Sequence, residues 1–292
     1  MREVTMPASP NFLSSTFTLS RAVSVSVSPF TGKQRTQEFD YAGWSADVAL
    51  PPMNRATVAA WQSWMALCKG SSNYFQFCDP DAKTNRGTYD GDDLIENDRI
   101  VDTTATLTFS GANIVATENI FTTSVTRGGD YIHVTGATNE ENNGTHKISS
   151  RSSDTTIVTT SSFTAESGTA NCKVQQNVKG ATALSLLAES NSATGTILAG
   201  DYLAVLDSAS TSGTPQQLLL VTENATVTSA GGSAQDFVSV AVEPKLRSNV
   251  TNAAYVKFAS PRGRFRLGGN VVEWSANKNS IYSLSFSCSE VI

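Results

Sequence analysis

Strict alternation of apolar and small polar residues marks both ends of this chain, and it restricts the fold to strands that each present one apolar face. Near the amino end, "TFTLSRAVSVSVSPFTG" sets Val23, Val25 and Val27 against Ser24, Ser26 and Ser28. Near the carboxyl end, Tyr282, Leu284, Phe286 and Cys288 alternate with Ser283, Ser285, Ser287 and Ser289. Successive side chains of a strand point to opposite faces, so each run predicts a half-buried β-strand. The shared pattern predicts that both ends belong to one sheet or barrel. "RTQEFDYAGWSADVALPP" repeats it more loosely through Phe39, Tyr41, Trp44, Ala46, Val48 and Leu50, and should pair with the first strand as a hairpin across "SPFTGKQ".

The composition points the same way. Only 16% of residues are charged, against about 25% in a typical soluble domain. Helical proteins keep their surfaces wet with Glu and Lys, whereas β-branched Thr suits a pleated face, so the Ser/Thr surface favours a mainly β fold. A net charge of −5 supplies no basic field and argues against a sequence-specific nucleic-acid binder. No apolar run approaches the roughly 20 residues of a membrane span. The start, "MREVTMPASPNF", lacks the apolar stretch of a secretory signal, and the expectation is a soluble protein made in a cytoplasm.

One segment changes period. In "NRATVAAWQSWMALCKG", Val58, Trp61, Met65 and Cys68 recur at helical spacing with Trp64 beside them. This predicts a helix over about residues 54–69, capped by Asn54 and ended by Gly70, with its tryptophans covered by the flanking sheet. "NYFQFCDPD" follows as a strand. From about Asp92 to Asn177 tryptophan disappears and short Thr-rich strands alternate with Gly and Asn turns. At about 100–200 residues per domain, 292 residues suggest two units. The predicted division is a discontinuous β-barrel or sandwich core, residues 1–91 and 178–292, with an inserted β domain over 92–177. Asn277 to Asn279 make the last hairpin turn.

Several clusters invite a chemical reading. In "GDYIHVTGATNEENNGTHKISS", Asn139, Glu141, Asn143 and Gly144 mimic the first half of a calcium-binding loop. Position twelve, where a bidentate Glu should close the shell, is Ser150. A hairpin tip with Asn142, Asn143 and Gly144 in positive-φ positions is the simpler reading. The only histidines are His133, on the strand face shared with Tyr131, and His146, just past the turn. No nucleophile elbow, phosphate loop or zinc motif accompanies them. Asp79, Asp81, Asp90, Asp92 and Asp93 could form a carboxylate pair, but "DPD" reads first as a solvated turn. Cys68, Cys78, Cys172 and Cys288 are too scattered for a zinc or redox motif, and Cys288 reads as a small core residue. In "PRGRFRLGG", Arg264 and Arg266 alternate with Phe265 and Leu267 and would show two guanidiniums to a phosphate or, preferably, to a neighbouring subunit. No catalytic, cofactor-binding or metal-ligating residue is assigned, and no cofactor is expected.

The central "GDYIHVTGATNEENNGTHKISSRSSDTTIVTTSSFTAESGT" resembles a module recurring in tail proteins of long-tailed bacteriophages, which pairs GD-x-I-x-V-x-G with NNGT and then TTI-x-V. The carboxyl-terminal succession "LAGDYLAVLD", "VAVEPKLR", "SPRGRFRL", a Trp and "SEVI" is similar to phage minor tail proteins, as are "SPFTGKQ", "LPP" and the Trp-rich helix before "FQFCDPD". The resemblance implies a distal tail or tail-tip (baseplate) protein of a siphovirus, located in the virion tail. Its barrel core would form a homo-oligomeric, hexameric ring joining the tail tube protein to hub or tape-measure-associated proteins, with fibres or a host glycan as further candidate partners. That family's role is assembly, so no catalytic residue carries over. A major tail tube subunit and a glycan-binding module, the latter needing exposed aromatics near Tyr131, are the alternatives.

Overall fold

The computed structural model describes the chain except residues 90–92, 96–101, 123–125, 127, 176, 188–193, 209–212, 228–236, 251–253 and 292. In chain order its elements are β1 (Ser14–Val27), β2 (Gln34–Ala49), α1 (Arg55–Cys68), β3 (Phe75–Phe77), β4 (Asp93–Ile95), β5 (Asp102–Ala116), β6 (Tyr131–Thr135), β7 (Gly144–Arg151) and β8 (Thr156–Gln175). They continue with β9 (Ala183–Leu187), β10 (Gly195–Ile197), β11 (Tyr202–Leu206), β12 (Pro215–Val221), β13 (Ala225–Val227), β14 (Phe237–Glu243) and β15 (Ala254–Lys257). Last come β16 (Gly263–Leu267), β17 (Ser275–Ala276), β18 (Tyr282–Ser283) and β19 (Ser285–Glu290). The fold is mainly β, with α1 the single α-helix among the described residues.

The two chain ends do meet in one sheet, ordered β1-β2-β19-β16-β3. Its strands pair antiparallel, with Phe286 opposite Val48 and Cys288 opposite Ala46. One face carries Phe17, Trp44, Ala46, Phe75, Phe265 and Phe286, while Ser45, Asp47, Ser285 and Ser287 lie on the other. α1 covers part of the apolar face: Trp61 and Trp64 pack edge to face at 5.6 Å, and Trp64 lies 5.2 Å from Phe286 and 4.9 Å from Phe75. Asn54 caps the helix by accepting from the Thr57 amide at 3.0 Å. The sequence places the helix stop at Gly70, but Lys69 takes the left-handed position, with φ 50°, and closes onto the Ala66 carbonyl. Gly70 follows with φ 63°, and a Cβ there would lie 2.9 Å from the Asn270 backbone, so close approach as well as conformation demands glycine.

The rest of the apolar face packs on a second body, a closed barrel of β11-β12-β14-β9-β4-β15. Outward-facing Ala204 and Leu218 join the sheet's core, while Leu203, Val205, Leu219, Val240 and Val256 fill the barrel. The predicted single core is therefore a sheet laid against a barrel. Strands β11 and β12 serve both, because alternate residues of a buried strand feed cores on either side. Glu290, buried at the end of β19, fastens the two bodies: it accepts from the Trp44 and Leu218 amides at 3.2 and 3.3 Å and from Arg247 Nη2 at 2.6 Å. Removing one partner of such a buried pair costs about 3–5 kcal/mol, because the other charge is left stranded.

The third body is the sheet β5-β8-β6-β7, in which β8 bends so that it also pairs with β7 and the sheet curls on itself. Leu107, Phe109, Ile132, Val134, Ile148 and Val174 form its own core. The predicted insert boundary at residue 92 falls too early, since Asp93–Ile95 is a barrel strand pairing with β15 and β9. Three residues carry too weak a pattern to reveal a strand that needs distant partners.

Candidate functional site

The loop between β6 and β7 carries the calcium-like spacing, and its polar groups are spent on holding the loop. Asn142, wholly buried, donates from Nδ2 to the Thr164 carbonyl at 2.8 Å and to Glu166 Oε1 at 2.7 Å, and its Oδ1 accepts from the Thr164 amide at 3.0 Å. Glu166 Oε2 accepts from the amide and side chain of Asn139 at 2.9 and 3.1 Å. Asn143 spans the loop neck, accepting from the Ala137 amide and donating to its carbonyl. Glu141 accepts from Thr164 Oγ1 at 3.0 Å. A buried amide costs little only when its hydrogen bonds are made, and here they are. The calcium-like spacing thus serves a loop pinned to β8. The expected run of positive-φ residues is confined to Gly144, with φ 118°, while Asn143 has φ −78°. Glu166, hidden among Thr and Ser of a long strand, gave no sequence signal.

The histidines play similar parts. His133 Nδ1 lies 2.9 Å from Thr145 Oγ1. His146 Nε2 lies 3.2 Å from the Asn142 carbonyl, so it carries the proton and donates, leaving Nδ1 to accept from Ser161 Oγ at 3.1 Å. Burial against Phe163 pushes the His146 pKa down, the Asn142 hydrogen bond opposes this, and His133 adds slightly to it. Asp79 Oδ1 accepts from the Asp81 amide at 3.2 Å, the turn that "DPD" predicts. Asp90 and Asp92 lie outside the described residues, as does the side chain of Asp93. Cys68, Cys172 and Cys288 are buried and Cys78 partly so; burial pushes the Cys68 and Cys288 thiols up to about 11 and about 12. Among the described residues no three His, Cys, Asp or Glu side chains gather as metal ligands. Tyr131 packs against the barrel core and burial raises its phenol pKa, so it is not the exposed platform that a glycan groove there would need.

Arg264 and Arg266 do share one face of β16, opposite buried Phe265 and Leu267. Arg264 extends over Tyr74, its guanidinium carbon 6.0 Å from the ring centre, and its Nε is buried without a partner.

The valine run departs from the half-buried strand that its alternation predicts. Val23, Val25 and Val27 continue the core-facing side of β1, but they extend beyond the core and are 48%, 55% and 53% exposed. Phe30, at the tip, is 95% exposed, and Phe39 and Tyr41 are half exposed on the return strand. Beyond Arg21 the β1–β2 hairpin is therefore an arm with neither face covered. Its root is braced: Arg21 pairs with Glu243 at 3.3 Å, Lys245 with Glu38 at 3.7 Å, and Arg247 Nη2 donates to the Ala42 carbonyl at 2.8 Å. A register shift between Arg21 and Val23 marks where the arm leaves the sheet.

At the opposite end of the same hairpin, the segment 269–274 arches beside the polar face of the sheet and leaves a hollow of about 520 Å³ lined by Asp47, Ser285, Val271 and Glu273. A second hollow of about 440 Å³, lined by Leu13 and Trp274, shares Ala49, Glu273 and Ser285 with it. Leu13, Val271 and Trp274 are themselves exposed. No protein-family model matches this chain, and no curated protein matches it significantly.

Proposed function

We propose that this chain is a structural, non-enzymatic subunit of a bacteriophage tail tip, which assembles as a ring between the tail tube and the hub or fibres. One observation carries the reading: a rigidly rooted β-hairpin arm whose Val23, Val25, Val27 and Phe30 are exposed. Contiguous exposed apolar surface on a soluble chain marks a protein contact, because leaving it in water costs about 25 cal/mol for each Å². A Ser/Thr surface with few charges suits such packing, since fewer ions must be desolvated when copies meet. The resemblance of the central module and the carboxyl-terminal strands to phage tail proteins supplies the context, and the hexamer remains part of the proposal.

The test is light scattering with negative-stain microscopy of the purified full chain. Closed rings of one fixed copy number are expected. A monomer at every concentration, or long tubes, would overturn the tip assignment, and tubes would favour a tail tube subunit.

A further inference from the structure

We infer that the hairpin arm of one copy docks in the groove beside residues 269–274 of the next copy, forming a head-to-tail contact; this rests on the assembly reading above and names its interface. The arm cannot reach its own groove. β1 runs from Ser14, which lines the groove, to Val27, beneath the arm's tip. At about 3.3 Å per residue the two ends are roughly 40 Å apart. Any occupant of the groove that uses this arm therefore belongs to another molecule.

The two surfaces match in kind. On the arm, Val25 shares a face with Thr36, while Ser26 and Arg35 share the opposite face. The groove likewise has two walls: Val271 and Trp274 on the arched segment, and the serine-lined sheet with Asp47. An arm inserted between them sets valine and Phe30 against Val271 and Trp274, and Arg35 against Asp47. Lys33, beside the tip, completes the match with Glu273. Among the described residues none of these four charges takes part in an ion pair within the chain. Opposite charges on otherwise apolar surfaces fix register and select the partner. Because arm and groove are different surfaces, the contact is heterologous, and repeated rotation closes it into a ring or opens it into a filament.

Two variants test this. Val25→Ser with Phe30→Ser disables the arm, and Glu273→Arg with Trp274→Ser disables the groove. All four side chains are exposed, so both variants should melt with the wild type. Each alone should be monomeric by light scattering. Mixed in equal amounts they should form a one-to-one dimer and stop, since one intact arm and one intact groove remain in the pair. Rings that persist in either variant would overturn the arm-and-groove contact while leaving the ring itself standing. Two monomeric variants that stay monomeric when mixed would overturn it as well, in favour of a two-fold contact. A monomeric wild type would remove both proposals. A benzophenone side chain at position 30 gives a direct readout: crosslinks at Val271 or Trp274 of a second copy are expected, and crosslinks elsewhere refute the docking.

Discussion

The arm of β1 and the final strand β19 are written in the same alphabet and live in opposite surroundings. Val23, Val25 and Val27 alternate with serine and are about half exposed, whereas Phe286 and Cys288 alternate with serine and are 8% and 2% exposed. Alternation specifies a strand with one apolar face. It does not specify whether the same chain covers that face. In β19 the helix and barrel supply the cover; in the arm the strand simply outruns them, and the uncovered length is where a partner must act.

The largest expected difference is energetic. Phe286 packs against Trp61, Trp64, Phe75 and Phe12. Phe286→Ala should therefore cost about 3–5 kcal/mol in urea unfolding, from lost burial plus a cavity. Phe30→Ala, at a tip that touches little, should change the stability of the isolated monomer by less than about 0.5 kcal/mol. Equal losses at both sites would mean that the arm is covered within its own chain, and the comparison would collapse.

Thiol chemistry sharpens the same contrast. Cys288 is held near 12 against an ordinary 9.0, chiefly by burial. Near neutral pH that leaves far less thiolate, and thiolate is the reactive form. A Val25→Cys variant should therefore label far faster than Cys288 in the monomer, as followed by mass spectrometry of the peptides, because its thiol is both accessible and free of the burial that suppresses the Cys288 thiolate. On assembly, label at position 25 should slow sharply while Cys288 stays as it was. A position 25 that remains fully reactive in a ring would place the arm outside the contact.

Local signals were legible wherever the chain's immediate neighbours decide the structure. Asn54 as a cap, the 58-61-65-68 spacing of α1, the β1–β2 hairpin and the Asn277 turn, which accepts from the Asn279 and Ile281 amides at 2.9 Å, all follow from residues a few positions apart. Hidden were the features made by distant pairs. Asp201, buried against Arg86 at 2.9 Å, and Glu290 against Arg247 look like ordinary surface charges in sequence. The barrel strand Asp93–Ile95 is too short for a period, and the groove needs β1, β19 and the 269–274 segment together. Only the arm was half legible: its apolar face could be read, its exposure could not.

The smallest effect concerns the insert, where the comparison turns to polar groups that are covered instead of apolar groups that are not. His146 is a neutral ring held between the Asn142 carbonyl and Ser161, and burial lowers its pKa below the ordinary 6.5. The unfolded chain then binds a proton more readily than the folded one, so stability rises with pH through this window. The contribution is whole above about 6.5 and is lost as pH falls through 6.5 toward the lower folded value. Hydrogen exchange of the β6–β7 loop amides should show protection weakening over that interval, by less than about 1 kcal/mol for so partial a burial. His146→Gln, which offers a donor to the same carbonyl but does not titrate, should flatten the profile there while leaving the arm's behaviour untouched. An unchanged slope would show that His146 does not set the acid sensitivity of this loop.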